Sequence, residues 1–148
     1  MSQATSNESI DILLVEDNPG DGRLTREILV DQKICNRLHI VENGVDAMAF
    51  LRREGRFSDA PRPGLVLLDL NLPKKGGREV LLEIKKDPVL KSIPVVILTA
   101  SQTEEDVLRS YGLHANYYIT KPVNLEQLMG AMRAIDNLWL TIVTVSPQ

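Results

Sequence analysis

Five short apolar runs, each closed abruptly by polar residues, set the pattern of this chain. They lie at residues 10–15, 37–41, 65–71, 94–98 and 115–120. The third begins Leu65-Val66-Leu67-Leu68, without a break, and ends Asp69-Leu70-Asn71. An unbroken run of this kind marks a strand buried on both faces, as in a parallel sheet. Between the runs, apolar residues recur at helical spacing. Leu24 and Ile28 predict the core face of a helix over 20–29, with Arg23 and Arg26 outward. Val45, Met48 and Leu51 predict the same for 45–53. Val80, Leu81 and Ile84 do so for 78–86, which Asp87-Pro88 stops. Thr103 with Asp106 is compatible with a capping box for a helix that ends near Tyr111, before Gly112. Asn124 predicts the cap of a last helix through about Leu140, with Glu126 in its first turn. Residues 54–63, with their Gly, Ser, Asp and Pro, read as a loop.

Five strands alternating with five helices imply an α/β fold: a doubly wound parallel sheet, helices on both faces, right-handed crossovers. The fold class gives some polar residues a special place. Glu16, Asp17, Asp69, Thr99 and Lys121 all fall at carboxyl ends of strands. Ligands bind at that edge of open α/β sheets. The first, third, fourth and fifth strands can be neighbours, so these side chains can converge on one crevice. Buried carboxylates are costly without cations around them. Oxygen ligands with open positions suit Mg2+, or Mn2+, which keeps several waters and accepts phosphate oxygens. Lysine adds a fixed positive charge, and threonine a hydroxyl donor. Together they form a receptor for a phosphoryl group. No P-loop pattern is present, so a nucleotide is not expected, and a carboxylate can instead accept the group covalently.

Composition narrows the classes. A net charge of -3 and a pI near 5.4 argue against nucleic-acid binding through bulk charge. No apolar run approaches the ~20 residues of a membrane span. With 148 residues, one domain is expected: a polar, disordered tail over 1–9, the folded unit over 10–140 and an apolar extension over 141–148. The single cysteine, Cys35, fits a reducing, cytoplasmic setting and reads as a small apolar residue. His39 and His114 read as surface or satisfied residues.

Glu16-Asp17, Asp69-Leu70-Asn71-Leu72-Pro73, Thr99-Ala100 and Lys121-Pro122, in this order and context, resemble the receiver domain of two-component response regulators. The likeness covers about residues 11–138. More narrowly, Asn71-Leu72-Pro73-Lys74-Lys75, Lys121-Pro122-Val123-Asn124-Leu125 and Trp139-Leu140 resemble the small single-domain regulators of bacterial, especially cyanobacterial, phytochrome kinases. The resemblance implies a flavodoxin-like (βα)5 sheet of order 2-1-3-4-5. It implies that Asp69 is the phosphoacceptor. Glu16, Asp17, Asp69 and the backbone carbonyl of Asn71 serve Mg2+, with Asp17 a direct ligand and Glu16 direct or through water. Lys121 contacts the phosphoryl group, and its bond to Pro122 is cis. Thr99 and Tyr118 act as the switch pair. Ala100 leaves room for the phosphate, Asn71 and Ser101 tune hydrolysis, and Gly77 opens the third helix. Lys74-Lys75-Gly76 departs from the usual apolar-acid pair and makes that rim more basic. The loop over 54–63 is longer than usual.

The expected function is a single-domain response regulator of a phosphorelay, with no output domain following. It is not an enzyme beyond its own phosphorylation and slow autodephosphorylation. Its expected partners are a histidine kinase of the phytochrome type and a downstream protein or phosphotransfer partner, with no direct nucleic acid and no membrane. The apolar stretch over 138–145 either folds back on its own domain or joins the fourth helix, fifth strand and fifth helix in a homodimer surface. Two alternatives carry different chemistry. A Mg2+-dependent aspartyl-phosphate phosphatase would need a second acid two residues after Asp69, and Asn71 stands there. A degenerate receiver used for docking would lack a site residue, and none is missing. Singly, Thr99 reads equally well as a turn residue and Lys121 as a solvated charge; their joint occurrence carries the reading.

Overall fold

A computed structural model describes residues 10–31 and 37–135. The expected tail over 1–9, Cys35 and the apolar extension lie outside the described residues. Strands β1 (Asp11–Val15), β2 (Arg37–Val41), β3 (Leu65–Asp69), β4 (Val95–Thr99) and β5 (Tyr117–Thr120) alternate with helices α1 (Pro19–Asp31), α2 (Gly44–Arg52), α3 (Gly77–Lys86), α4 (Gln102–Ser110) and α5 (Leu125–Ala134). A 3-10 turn, Gly55–Phe57, interrupts the loop after α2. The strands form one parallel sheet of order β2-β1-β3-β4-β5, as expected.

Alternation along the central strands divides the core. Ile12, Leu14, Leu65, Leu67, Val96, Leu98 and Ile119 face α1 and α5, meeting Leu29, Leu128 and Met132. Leu13, Val15, Val66, Leu68, Val95 and Ile97 face α2, α3 and α4, meeting Met48, Phe50, Leu51, Val80, Leu81, Ile84 and Leu108. Both faces of β3 and β4 are fully covered, which explains their unbroken apolar runs. The register pairs Val15 with Leu68, Asp69 with Leu98 and Thr99 with Thr120. The carboxyl ends of four strands therefore come level.

Several local expectations are corrected. Leu24 is 36% exposed; Gly22, Thr25 and Leu29 are the buried positions of α1. The stripe of Gly22, Thr25 and Leu29 is therefore the face turned to the sheet. Val45 is also exposed, while Ala47, Met48, Phe50 and Leu51 are buried. Phe50 lies between the rings of His39 and Phe57, with centroids at 5.2 and 5.5 Å, which turns the helix toward that side. Ser101, not Thr103, caps α4: its Oγ accepts from the Glu104 N–H at 3.3 Å. β5 begins at Tyr117 rather than Ala115, because the Ala115 N–H donates to the Tyr118 hydroxyl instead of a ladder carbonyl. α5 is seen over Leu125–Ala134, after which Ile135 turns extended and buries its side chain in the core; the expected reach to Leu140 lies outside the described residues.

Candidate functional site

Four of the five strand ends deliver a polar side chain to one crevice. Glu16 follows β1, Asp69 ends β3, Thr99 ends β4 and Lys121 follows β5. Glu16 and Asp69 are each 3% exposed and Thr99 is fully buried, whereas Asp17 is exposed. The Lys121 ammonium spans the group. It donates to Asp69 Oδ2 at 2.8 Å, Glu16 Oε2 at 3.1 Å and Asp21 Oδ2 at 3.1 Å. The peptide bond from Lys121 to Pro122 is cis. Asn71 N–H donates to Asp69 Oδ1 at 3.0 Å and Lys121 to Oδ2, so the Asp69 carboxylate is held from both sides.

The charges are unequal. Glu16, Asp17, Asp21 and Asp69 line the same cleft, of about 330 Å³, with Lys121 their cation among its lining residues. Burial first, and then the hydrogen bond shared with Asp69, push the Glu16 pKa up to about 7, against the pull of Lys121. Burial works against the charged lysine, but hydrogen bonds to Asp69, Glu16 and Asp21 outweigh it and hold the Lys121 pKa above the usual lysine range. Oxygens of Glu16, Asp17 and Asp69 lie within 4.8 Å of one another, an all-oxygen donor set that fits a hard divalent cation. Excess carboxyl charge beside a single ammonium points the same way.

Thr99 Oγ1 is buried without a hydrogen-bond partner among the described residues. A buried hydroxyl left so is costly unless another state supplies its partner. Tyr118 stands beyond the cleft: its hydroxyl donates to the Leu113 carbonyl at 3.3 Å, and the Arg109 guanidinium lies 4.4 Å from its ring centroid. Ser101 is engaged as the α4 cap, and the Asn71 side chain as a donor to Glu104. Lys75 pairs with Glu83 of α3, so Lys74 alone of the two keeps that rim basic. His39 Nε2 is 3.1 Å from Asp11 Oδ1, a satisfied residue as read, and His114 is exposed.

Sequence reasoning missed Asp21 and Glu104. Asp21 sits in the first turn of α1, and only the packing of that helix brings it to Lys121. Glu104 stands three residues into α4, where an acid reads as a helix-terminal charge.

A parallel sheet of this order, with carboxyl groups and a lysine on its carboxyl edge, defines a receiver domain. The chain belongs to the response regulator receiver domain family, whose model matches residues 12–133. It is 52% identical over 140 residues to response regulator Rcp1 of the cyanobacterium Synechocystis, covering 95% of each chain. The Mn(2+)-bound form of Rcp1 superposes with a TM-score of 0.72 over 88% of this chain and 94% of that one, at 53% identity. The phosphorylated cyanobacterial phytochrome response regulator RcpA gives a TM-score of 0.74 at 52% identity, over 89% and 94%. The bacteriophytochrome response regulator RtBRR gives 0.81 at 42% identity, over 86% and 78%. The chain is thus a response regulator homologous to those of phytochromes. The family is a signalling family rather than a class of enzymes, and no described helix is long and apolar enough to cross a membrane.

Proposed function

We propose that Asp69 accepts a phosphoryl group from a histidine kinase and that the protein signals through the resulting change of shape. The observation that carries this reading is the Lys121 ammonium, 2.8 Å from Asp69 Oδ2, joining two strand ends 52 residues apart. In the transfer, an Asp69 oxygen attacks phosphorus as the donor's bond to phosphorus breaks, and the bonding pair leaves with the donor. Lys121 steadies the attacking carboxylate and then contacts the phosphoryl oxygens. Glu16, Asp17, Asp69 and the Asn71 carbonyl would hold Mg2+, or Mn2+, which supplies positive charge against the carboxylates and the phosphoryl oxygens. Thr99 Oγ1, without a partner among the described residues, donates to a phosphoryl oxygen once one is present. Its movement opens space toward Tyr118, whose tether to Leu113 and Arg109 is remade. Slow loss of the phosphoryl group to water resets the protein.

Likeness to Rcp1, RcpA and RtBRR supports a phytochrome-type kinase as the partner. The face formed by α4, β5 and α5 carries exposed Val107 and Tyr111, and serves as the output and homodimer surface. Intact mass after incubation with Mg2+ and acetyl phosphate tests the core of the reading. Wild type should gain one base-labile phosphoryl increment and Asp69→Asn none; an equal gain in both would place the acceptor elsewhere. Sedimentation of the full chain beside one truncated after residue 137 tests the dimer. An unchanged dimer would remove the extension from the interface.

A further inference from the structure

The rim of the cleft holds an anion that the transfer chemistry does not use. Glu104 Oε1 accepts from the Ala100 N–H at 2.8 Å, and Glu104 Oε2 from Asn71 Nδ2 at 3.1 Å. The ordinary role of an acid at this point is the capping box. There the third residue of a helix bonds back to the N–H of its own cap. Half of that box is present, since Ser101 Oγ accepts from the Glu104 N–H. The other half is redirected. The carboxylate passes over Ser101 to the amide one residue upstream, and it also takes a donor from a different strand end.

Both of its partners belong to the cleft. Asn71 and Ala100 line it with Asp69 and Lys121. Asp69 pairs with Leu98 in the ladder, so the same register continued two residues onward sets Asn71 opposite Ala100. Glu104 therefore closes the gap between the two loops that flank the Asp69 carboxylate. Its negative charge occupies two donors on the rim of the crevice that a phosphoryl group on Asp69 would enter. We infer that Glu104 is a positioning residue that acts as an internal competitor for the phosphoryl group. It holds the Ala100 amide and the Asn71 side chain in the unphosphorylated protein, and phosphorylation displaces it.

The inference rests on the reading of Asp69 as phosphoacceptor. With acetyl phosphate, an Asp69 oxygen forms the new bond to phosphorus while the acetate–phosphorus bond breaks, its electron pair leaving on acetate. Asp69 then carries two negative charges in place of one, beside Glu104. Repulsion opposes both the approach of the donor and the product. Release of Glu104 hands the Ala100 N–H to the phosphoryl group and frees the first turn of α4, which couples the acceptor to the face read as the output surface.

The test is the rate at which the full chain gains a phosphoryl increment from acetyl phosphate with Mg2+, in wild type, Glu104→Gln and Glu104→Ala. Gln keeps one acceptor oxygen and removes the charge. Both variants should accept the group faster, by about fivefold, the size expected for one unit charge acting on an incoming dianion across a solvated rim. The ratio should shrink toward one between about 0.01 M and about 1 M salt, as the screening length falls from about 30 Å to about 3 Å. A role confined to capping α4 would move thermal stability but not this salt-dependent ratio. Variant rates equal to or below wild type, or a gain that salt leaves untouched, would overturn the inference while leaving Asp69 the acceptor. No increment in wild type would remove the underlying reading itself.

Discussion

Glu16 shows how much one buried carboxyl can cost this fold. It lies against Asp69, and burial holds its pKa near 7 in the metal-free protein. An unfolded glutamate titrates near about 4.3. A carboxyl whose pKa is raised on folding stabilises the fold at low pH, and that contribution is lost as pH rises through the folded value. Metal-free wild type should therefore lose stability between about pH 5 and about pH 8, with a falling thermal midpoint over that window. Glu16→Gln, which cannot ionise, should flatten the profile and exceed wild type at the upper end. Added Mg2+ should raise the wild-type midpoint there far more than that of the variant. A metal-free midpoint that rises with pH in wild type would contradict the assignment of Glu16 as the strained group.

At the scale of elements, the junction of β3 with α3 governs the aim of Asp69. A Cβ on Gly77 would lie 2.5 Å from the Asp69 carbonyl oxygen and 2.7 Å from Leu70 Cα. Only a residue without a side chain lets α3 start so near the strand end. Gly77→Ala must push the two apart, at about 1–3 kcal/mol. Urea unfolding should show the loss, and phosphoryl acceptance should fall with it because the carboxylate is displaced from Lys121. Gly44 is the matching contact at α2: a Cβ there would meet the Lys75 carbonyl oxygen at 2.0 Å. The Tyr118 ring is bound more lightly. Arg109, over the Tyr118 ring, is also paired with Glu105 one turn back in α4. Arg109→Ala should loosen Tyr118 with little change in stability, within about 0.5 kcal/mol. The fluorescence anisotropy decay or NMR linewidths of that ring would report it.

For the whole molecule, two cores share one sheet. Leu67 is fully buried toward α1 and α5, and Leu68 toward α2, α3 and α4. Either Leu→Ala change should cost about 2–5 kcal/mol, read as a lower urea midpoint at unchanged slope. One cooperative transition is expected in each case, since the strands belong to both cores. Two separate transitions would mean that the faces unfold independently.

The order of elements, the parallel sheet and the five strand-end residues were legible because a strand buried on both faces must be apolar along its length. A carboxylate or lysine that interrupts such a run can only stand at its end. Glu16, Asp17 and Asp69 could therefore be placed from the chain alone, with Thr99 and Lys121 at the two further run ends, and the structure brings these ends level. Helix phase was less legible. Leu24 and Val45 are apolar at plausible positions, yet they lie outward, and Gly22, Thr25 and Leu29 of α1 and Ala47, Phe50 and Leu51 of α2 are the buried ones. Asp21 was invisible for a related reason, and for Glu104 the Ser101-x-x-Glu104 spacing marks only a helix start, not a contact with Asn71. Each is an ordinary acid in the first turn of a helix, and only tertiary packing turns it toward Lys121 or toward Ala100 and Asn71. Local pattern determines which residues must be buried and where a strand must end. Which helix-borne charges reach the site depends on the crossing of separate elements, and no spacing along the chain encodes that.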